Sequence, residues 1–165
     1  LEVQLAPMDL AESLLSRLEE AGGWLADSGI TLETRIGAGA WMRGDVQRLR
    51  QLWNNLLDNT CAYTRAPGRL RVSLDASSTG TRVTWEDSAP GVPDGELDRL
   101  TERLFRVEGS RNRASGGSGL GLSIAAALVK AHGGRMHASP SALGGLCWTL
   151  TFPPLDDDRF REETA

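Results

Sequence analysis

The sequence predicts an α/β two-layer sandwich: a mixed, largely antiparallel sheet with helices covering one face. Segments whose apolar residues alternate every second position interleave with segments of helical period, in the order β, α, β, α, β, β, short α, loop, α, β, β. Leu70, Val72 and Leu74 alternate with Arg71, Ser73 and Asp75, the pattern of a strand with only one face buried. A chain of 165 residues with 40% apolar and 24% charged residues is the size of one domain with a sizeable core.

Leu1, Val3 and Leu5 alternate, which predicts a short edge strand ending at Pro7. Asp9 then caps a helix, with Glu12 in a capping-box arrangement and Leu10, Leu14, Leu15, Leu18, Ala21 and Leu25 at helical spacing. Gly22 and Gly23 weaken its second half. The period switches to two at Ile30, Leu32, Thr34 and Ile36, and residues 37–39 close that strand; Trp41 and Met42 suit a small extra one. Asp45 is the N-cap of a second long helix with the apolar face Val46, Leu49, Leu52, Trp53, Leu56, Leu57 and Cys61. After the Pro67 and Gly68 turn comes a hairpin, its first strand at 70–75 and its return strand at 82–87. A short helix begins at Pro93 and Asp94, and a further helix over 120–132 stops at Gly133 and Gly134. A last hairpin joins 135–139 to 146–152, with Leu146, Trp148, Leu150 and Phe152 on one face. Residues 1–153 are thus read as one domain, and the acidic tail 154–165 is expected to be disordered.

The net charge of −4 argues against a nucleic-acid or anionic-membrane surface, which needs a clustered positive field. No apolar run approaches the roughly 18 residues of a membrane span, so the sequence reads as a soluble piece of a longer protein. Cys61 and Cys147 fall within a predicted helix and strand rather than at metal-ligand spacing, which favours buried thiols over a disulfide or zinc site.

Residues 106–122, RVEGSRNRASGGSGLGL, offer almost nothing to a core. Arg111 and Arg113 sit among small polar residues, and Gly116, Gly117, Gly119 and Gly121 lead into the helix that contains Leu120, Ile124 and Leu128. Glycines let backbone N–H groups approach an anion, the helix dipole favours negative charge there, and arginines add charge-assisted bonds, so phosphate is the natural ligand. A flexible linker is the competing reading. The loop is neither a P-loop, since Leu122 and Ser123 follow Gly121 where Lys and Ser or Thr are needed, nor a dinucleotide fingerprint, whose glycine spacing differs.

Asn55 and Asn59 stand at i and i+4 on the margin of the second helix's apolar stripe, and Tyr63 ends the helix on the same side. Their carboxamides could coordinate a hard cation such as Mg²⁺, or bond neighbouring backbone. Asp87 shares parity with Val83 and Trp85, which puts a carboxylate at the end of an inward-facing row, where it needs a donor from ligand or local backbone.

The segments NNLLDN at 54–59, DSAPG at 87–91, LTERLFR at 100–106, GSGLGL at 117–122 and the late Gly144 and Gly145 occur in order. Together they resemble the conserved boxes of the ATP-binding catalytic domain of sensor histidine kinases, in the superfamily shared with gyrase, Hsp90 and MutL. The loop sequence is most similar to the envelope-stress branch of these kinases. The resemblance implies the Bergerat ATP-binding fold, with ATP and Mg²⁺ as cofactors. It implies that Asn59 with Asn55 holds Mg²⁺, Tyr63 lies against adenine, Asp87 accepts the exocyclic amine and Gly91 gives the base room. It further implies that Arg106, Arg111 and Arg113 reach the phosphates from a lid, mobile without nucleotide, while Gly117, Gly119, Leu120 and Gly121 present backbone to them, Asn55 and Arg113 being the catalytic pair.

Three departures stand out: Ala89 replaces a glycine, Ala62 replaces a common cation before Tyr63, and Phe105 is the only aromatic of its segment. The function implied is transfer of the γ-phosphoryl group to a histidine on a separate dimerisation and phosphoacceptor domain, with a response regulator downstream, in the cytoplasmic part of an inner-membrane sensor. Asn55 discriminates against ATP hydrolases of the superfamily, which carry a glutamate base at the matching position. A nucleotide-binding module without turnover is the non-enzymatic alternative.

Overall fold

The computed structural model describes residues 1–88, 94–102 and 121–155. Its main sheet has five strands in the order β2 (Ile30–Ile36), β4 (Gly68–Ser77), β5 (Gly80–Asp87), β7 (Leu146–Phe152) and β6 (Arg135–Pro140). The β2 and β4 pair is parallel and the other pairs are antiparallel, so the sheet is mixed and largely antiparallel, as its sequence predicts.

Strand parity decides what each face does. Leu70, Val72, Leu74, Val83, Trp85, Leu150 and Phe152 are buried on the side packed by α1 (Leu10–Asp27), α2 (Val46–Tyr63) and α3 (Gly121–Ala131). The opposite parity is polar. There Glu33, Arg71 and Glu86 face one another in register, and Arg71 pairs with both carboxylates at 3.3 and 3.6 Å.

The helices begin where capping side chains start them. Asp9 accepts from the Ala11 N–H at 3.0 Å, and its Oδ1 also takes the Ala40 N–H at 3.1 Å, which ties α1 to the chain entering β3 (Trp41–Gly44). Asp45 caps α2 by accepting from Gln47 and Arg48 N–H groups. Gly22 and Gly23 do not end α1, because Ala21 and Leu25 on either side are buried in the core. Helix α3 closes with Gly133 at φ 73° and bonds from Gly133 N to Lys130 O and from Gly134 N to Val129 O, a left-handed cap that glycine adopts without a Cβ clash. Between β5 and α3 the short helix is a 3-10 turn at Asp94–Arg99.

The edge strand expected at Leu1, Val3 and Leu5 lies further along, at β1 (Ala6–Asp9), paired antiparallel with β3. The partner strand ends at Gly44, where Asp45 turns the chain into α2, so nothing remains for residues before Ala6 to pair with. Gln4 instead donates its N–H to the Asp45 carboxylate at 3.0 Å. Cys61 and Cys147 are free thiols, half-buried and buried respectively.

Candidate functional site

The asparagines of α2 divide by what they touch. Asn54 accepts a bond from the Arg17 Nε on α1, and beside it the Trp53 indole donates to Ser13 Oγ at 3.1 Å, so this side of the helix is a structural seam. Asn55 is different: its Nδ2 is buried and has no hydrogen-bond partner. An orphaned amide donor is costly, about 1–3 kcal/mol. Asn59 lies one turn on, half-buried on the same side, and half-buried Tyr63 ends the helix.

Asp87 is 7% exposed at the last position of β5. Its Oδ1 accepts the Leu146 N–H of β7 at 3.0 Å, so the backbone partner envisaged for it exists, although it comes from a neighbouring strand rather than a local turn. One such bond does not repay the burial of a charge. Desolvation pushes the Asp87 pKa up to about 6 against the smaller, opposing effect of the Leu146 N–H.

A buried bond that sequence reasoning missed brings these two groups together. The indole N–H of Trp85, two residues before Asp87 on the same face, donates to Thr60 Oγ1 at 2.9 Å. Thr60 is the residue after Asn59, so the strand end bearing the carboxylate is fastened to the helix turn bearing the amide. The turn after β5 is fastened as well. Ser88 Oγ accepts the Arg69 N–H at 2.9 Å, and Gly144, at φ 104°, passes so close to Ser88 that a Cβ would stand 2.7 Å from its carbonyl oxygen.

Two more buried polar atoms near this corner lack partners, and neither was singled out from sequence. One is Oγ1 of Thr64, the C-cap of α2, whose methyl group stands 2.7 Å from where a Cβ on Gly68 would be. The other is Nε1 of Trp148, directly across from Trp85 on β7. Gly121 is the first residue of α3, with open space where its Cβ would be. Gly91, Arg106, Arg111, Arg113, Gly117, Gly119 and Leu120, together with Ala89, Phe105 and the tail from residue 156, lie outside the described residues. Among the described residues, no cluster of His, Cys, Asp and Glu is placed to hold a metal ion, and no helix is long and apolar enough to cross a membrane.

Among the described residues, a mixed sheet covered on one face by three helices carries a buried carboxylate latched to the asparagine-bearing helix. The model of the histidine kinase-, DNA gyrase B- and HSP90-like ATPase family matches residues 44–156, and the chain belongs to that family. It is 45% identical over 98% of its length to the signal transduction histidine-protein kinase BaeS of Escherichia coli strain K12, covering 34% of that protein. It is 34% identical to the phosphate regulon sensor protein PhoR of Pseudomonas aeruginosa over 68% of the chain and 26% of that protein. The chain thus spans about a third or less of these relatives. Among solved structures, the mycobacterial sensor histidine kinase MprB superposes with a TM-score of 0.80 at 27% identity, covering 90% of this chain and 98% of that one. Full-length ShkA in complex with AMPPNP gives 0.73 at 25% identity, covering 94% of this chain and 32% of that one.

Proposed function

We propose that this chain is the catalytic domain of a sensor histidine kinase: it binds Mg-ATP and directs the γ-phosphoryl group to a histidine on a separate dimerisation domain. The observation that carries this reading is the Asp87 carboxylate, buried with no counter-charge among the described residues and latched through Trp85 and Thr60 to the turn that presents Asn59. The 45% identity to a signal transduction histidine-protein kinase supports the same reading, as does the likeness to a kinase solved with AMPPNP.

The residues present fit a magnesium nucleotide. Asp87 offers an acceptor to the exocyclic amine of adenine, and Tyr63 a ring against the base. Asn59 and Asn55 offer amide oxygens of the kind a hard cation takes, and the orphaned Nδ2 of Asn55 is in addition a donor that suits a phosphate oxygen. Gly121, opening α3, adds a helix N-terminus to the phosphate side. The resemblance adds Arg106, Arg111 and Arg113, with Gly91, Gly117, Gly119 and Leu120, to the same reading. Bound Mg²⁺ would supply neutralisation of the triphosphate charge, and the protein would supply position and electrostatics.

Asn55 favours phosphotransfer over hydrolysis, because an amide cannot serve as the base that activates water. The remaining partners follow from the same reading: a response regulator that takes the phosphoryl group, and a membrane-anchored sensor of which this is a cytoplasmic part. Mixing the chain with γ-labelled ATP and a fragment bearing the phosphoacceptor helix tests it. Label on the acceptor histidine is expected, and brisk release of phosphate that Asn55→Ala abolishes would assign the chain to the hydrolase branch instead.

A further inference from the structure

We propose that the indole N–H of Trp148 is a specificity-determining donor for the base, bonding a ring nitrogen of the purine whose amino group Asp87 holds. The inference deepens the nucleotide-binding reading and rests on it. Trp148 is 1% exposed, and its Nε1 has no hydrogen-bond partner. An indole N–H can only donate, so it needs an acceptor that the described residues do not supply.

The neighbouring tryptophan shows what this core does with an indole that is purely structural. Trp85 stands directly opposite Trp148, equally buried, and its N–H is satisfied by Thr60 at 2.9 Å. Two tryptophans therefore stand opposite each other in register on the helix-covered face, one with its donor consumed and one with its donor kept. Placement supplies the second half of the argument. Trp148 is two residues from Leu146, whose N–H holds the Asp87 carboxylate, and strand parity puts Leu146, Trp148 and Asp87 on the same face. Two strand residues span only about 7 Å, within the width of a purine.

An acceptor carboxylate and a lone donor on one face of neighbouring strands match an amino group next to a ring-nitrogen acceptor, which is how adenine presents itself. Guanine presents a carbonyl where the carboxylate needs a donor and, on its N1 edge, an N–H where the indole needs an acceptor. The pair Asp87 and Trp148 thus selects adenine by two groups of opposite character, and the penalty for a wrong base includes leaving both unpaired.

The test is a cycle of one substitution against analogues of ATP. Affinities of the intact chain and of Trp148→Phe, which keeps the aromatic ring but removes the N–H, are measured for ATP, GTP and the deaza analogues that replace one ring nitrogen each by C–H. In the intact chain one deaza analogue should bind about tenfold more weakly than ATP, the size of one net hydrogen bond. In Trp148→Phe that analogue and ATP should bind alike. A variant that only loosened the fold would weaken all ligands together and leave the ratio unchanged, which would overturn the assignment. Should the variant fail to fold, the indole N–H resonances of the five tryptophans decide it, with Trp148 assigned by elimination through substitution of the others. Its resonance should move with ATP and not with the critical deaza analogue; identical shifts with both, or none, would overturn the assignment. Failure of the intact chain to bind any nucleotide would instead overturn the nucleotide reading itself.

Discussion

The backbone N–H of Asp45 donates to Nε2 of His132 at 3.1 Å, while Nδ1 of the same ring bonds the Leu128 carbonyl at 2.7 Å. With one ring nitrogen accepting and the other donating, the imidazole is neutral and carries its proton on Nδ1. The bond joins the N-cap of the asparagine-bearing helix α2 to the end of α3, the helix that Gly121 opens. Phe152 stands edge-on to the ring at 6.4 Å and closes it from water.

His132→Ala should therefore lower stability by about 2–4 kcal/mol, because it opens a cavity and orphans two backbone groups. The native histidine also confers a pH dependence. Burial depresses its pKa below the ordinary histidine value of 6.5, so the folded state binds fewer protons; its contribution is complete above 6.5 and is lost as pH falls through the depressed value. Urea unfolding between pH 5 and 8 in an Asp87→Asn background isolates this slope, and His132→Ala should remove it.

Asp87 should govern how nucleotide affinity varies with pH. Its carboxyl has a pKa of about 6 when free, raised from 3.8, and an amine donor binds only the ionised form. Affinity should fall about tenfold per pH unit below 6, with a proton released on binding near that pH. The same shift makes the free protein lose stability as pH rises from 3.8 through about 6, by about 3 kcal/mol in all. Asp87→Asn should flatten both profiles and weaken ATP binding by about 1.5–3 kcal/mol; calorimetry in buffers of different ionisation enthalpy reads the proton directly.

The helices and strands were legible because periodicity, capping aspartates and closing glycines act within a few residues of themselves. Asp9, Asp45 and Gly133 cap where their neighbours say they should, and the parity of Val83, Trp85 and Asp87 already places the carboxylate inward. The pairings that make the site were not legible. Trp85 with Thr60, Asp45 with His132 and the unpaired donor of Trp148 depend on which strand lies beside which and at what register, and no local pattern encodes that. The early strand was misplaced for a related reason: Leu1, Val3 and Leu5 alternate well enough, but the strand they need as a partner ends at Gly44.

Gly144→Ala should damage the site from a distance. Its φ of 104° disfavours any side chain, and a Cβ 2.7 Å from the Ser88 carbonyl would push away the residue that follows Asp87. A stability loss of about 1–3 kcal/mol is expected, with weaker nucleotide binding alongside. A thermal melt and an ATP titration of the same sample check both.

Neither histidine of the chain should become phosphorylated. Both ring nitrogens of His132 are engaged in a fully buried site, and His137 lies on the exposed side of β6 opposite Thr149, away from the helix-covered face that carries Asp87. Incubation with γ-labelled ATP should leave the chain unlabelled, as followed by acid-labile label on a gel.

The most direct measurement is a calorimetric titration of the chain with an unhydrolysable ATP analogue, with and without Mg²⁺, repeated on Asn59→Ala. Saturable binding at one site per chain is predicted, tighter with Mg²⁺, and Asn59→Ala should bind equally with or without the ion. No binding in either condition, or the same Mg²⁺ effect in a folded Asn59→Ala variant, would contradict a magnesium-nucleotide site built on α2 and Asp87.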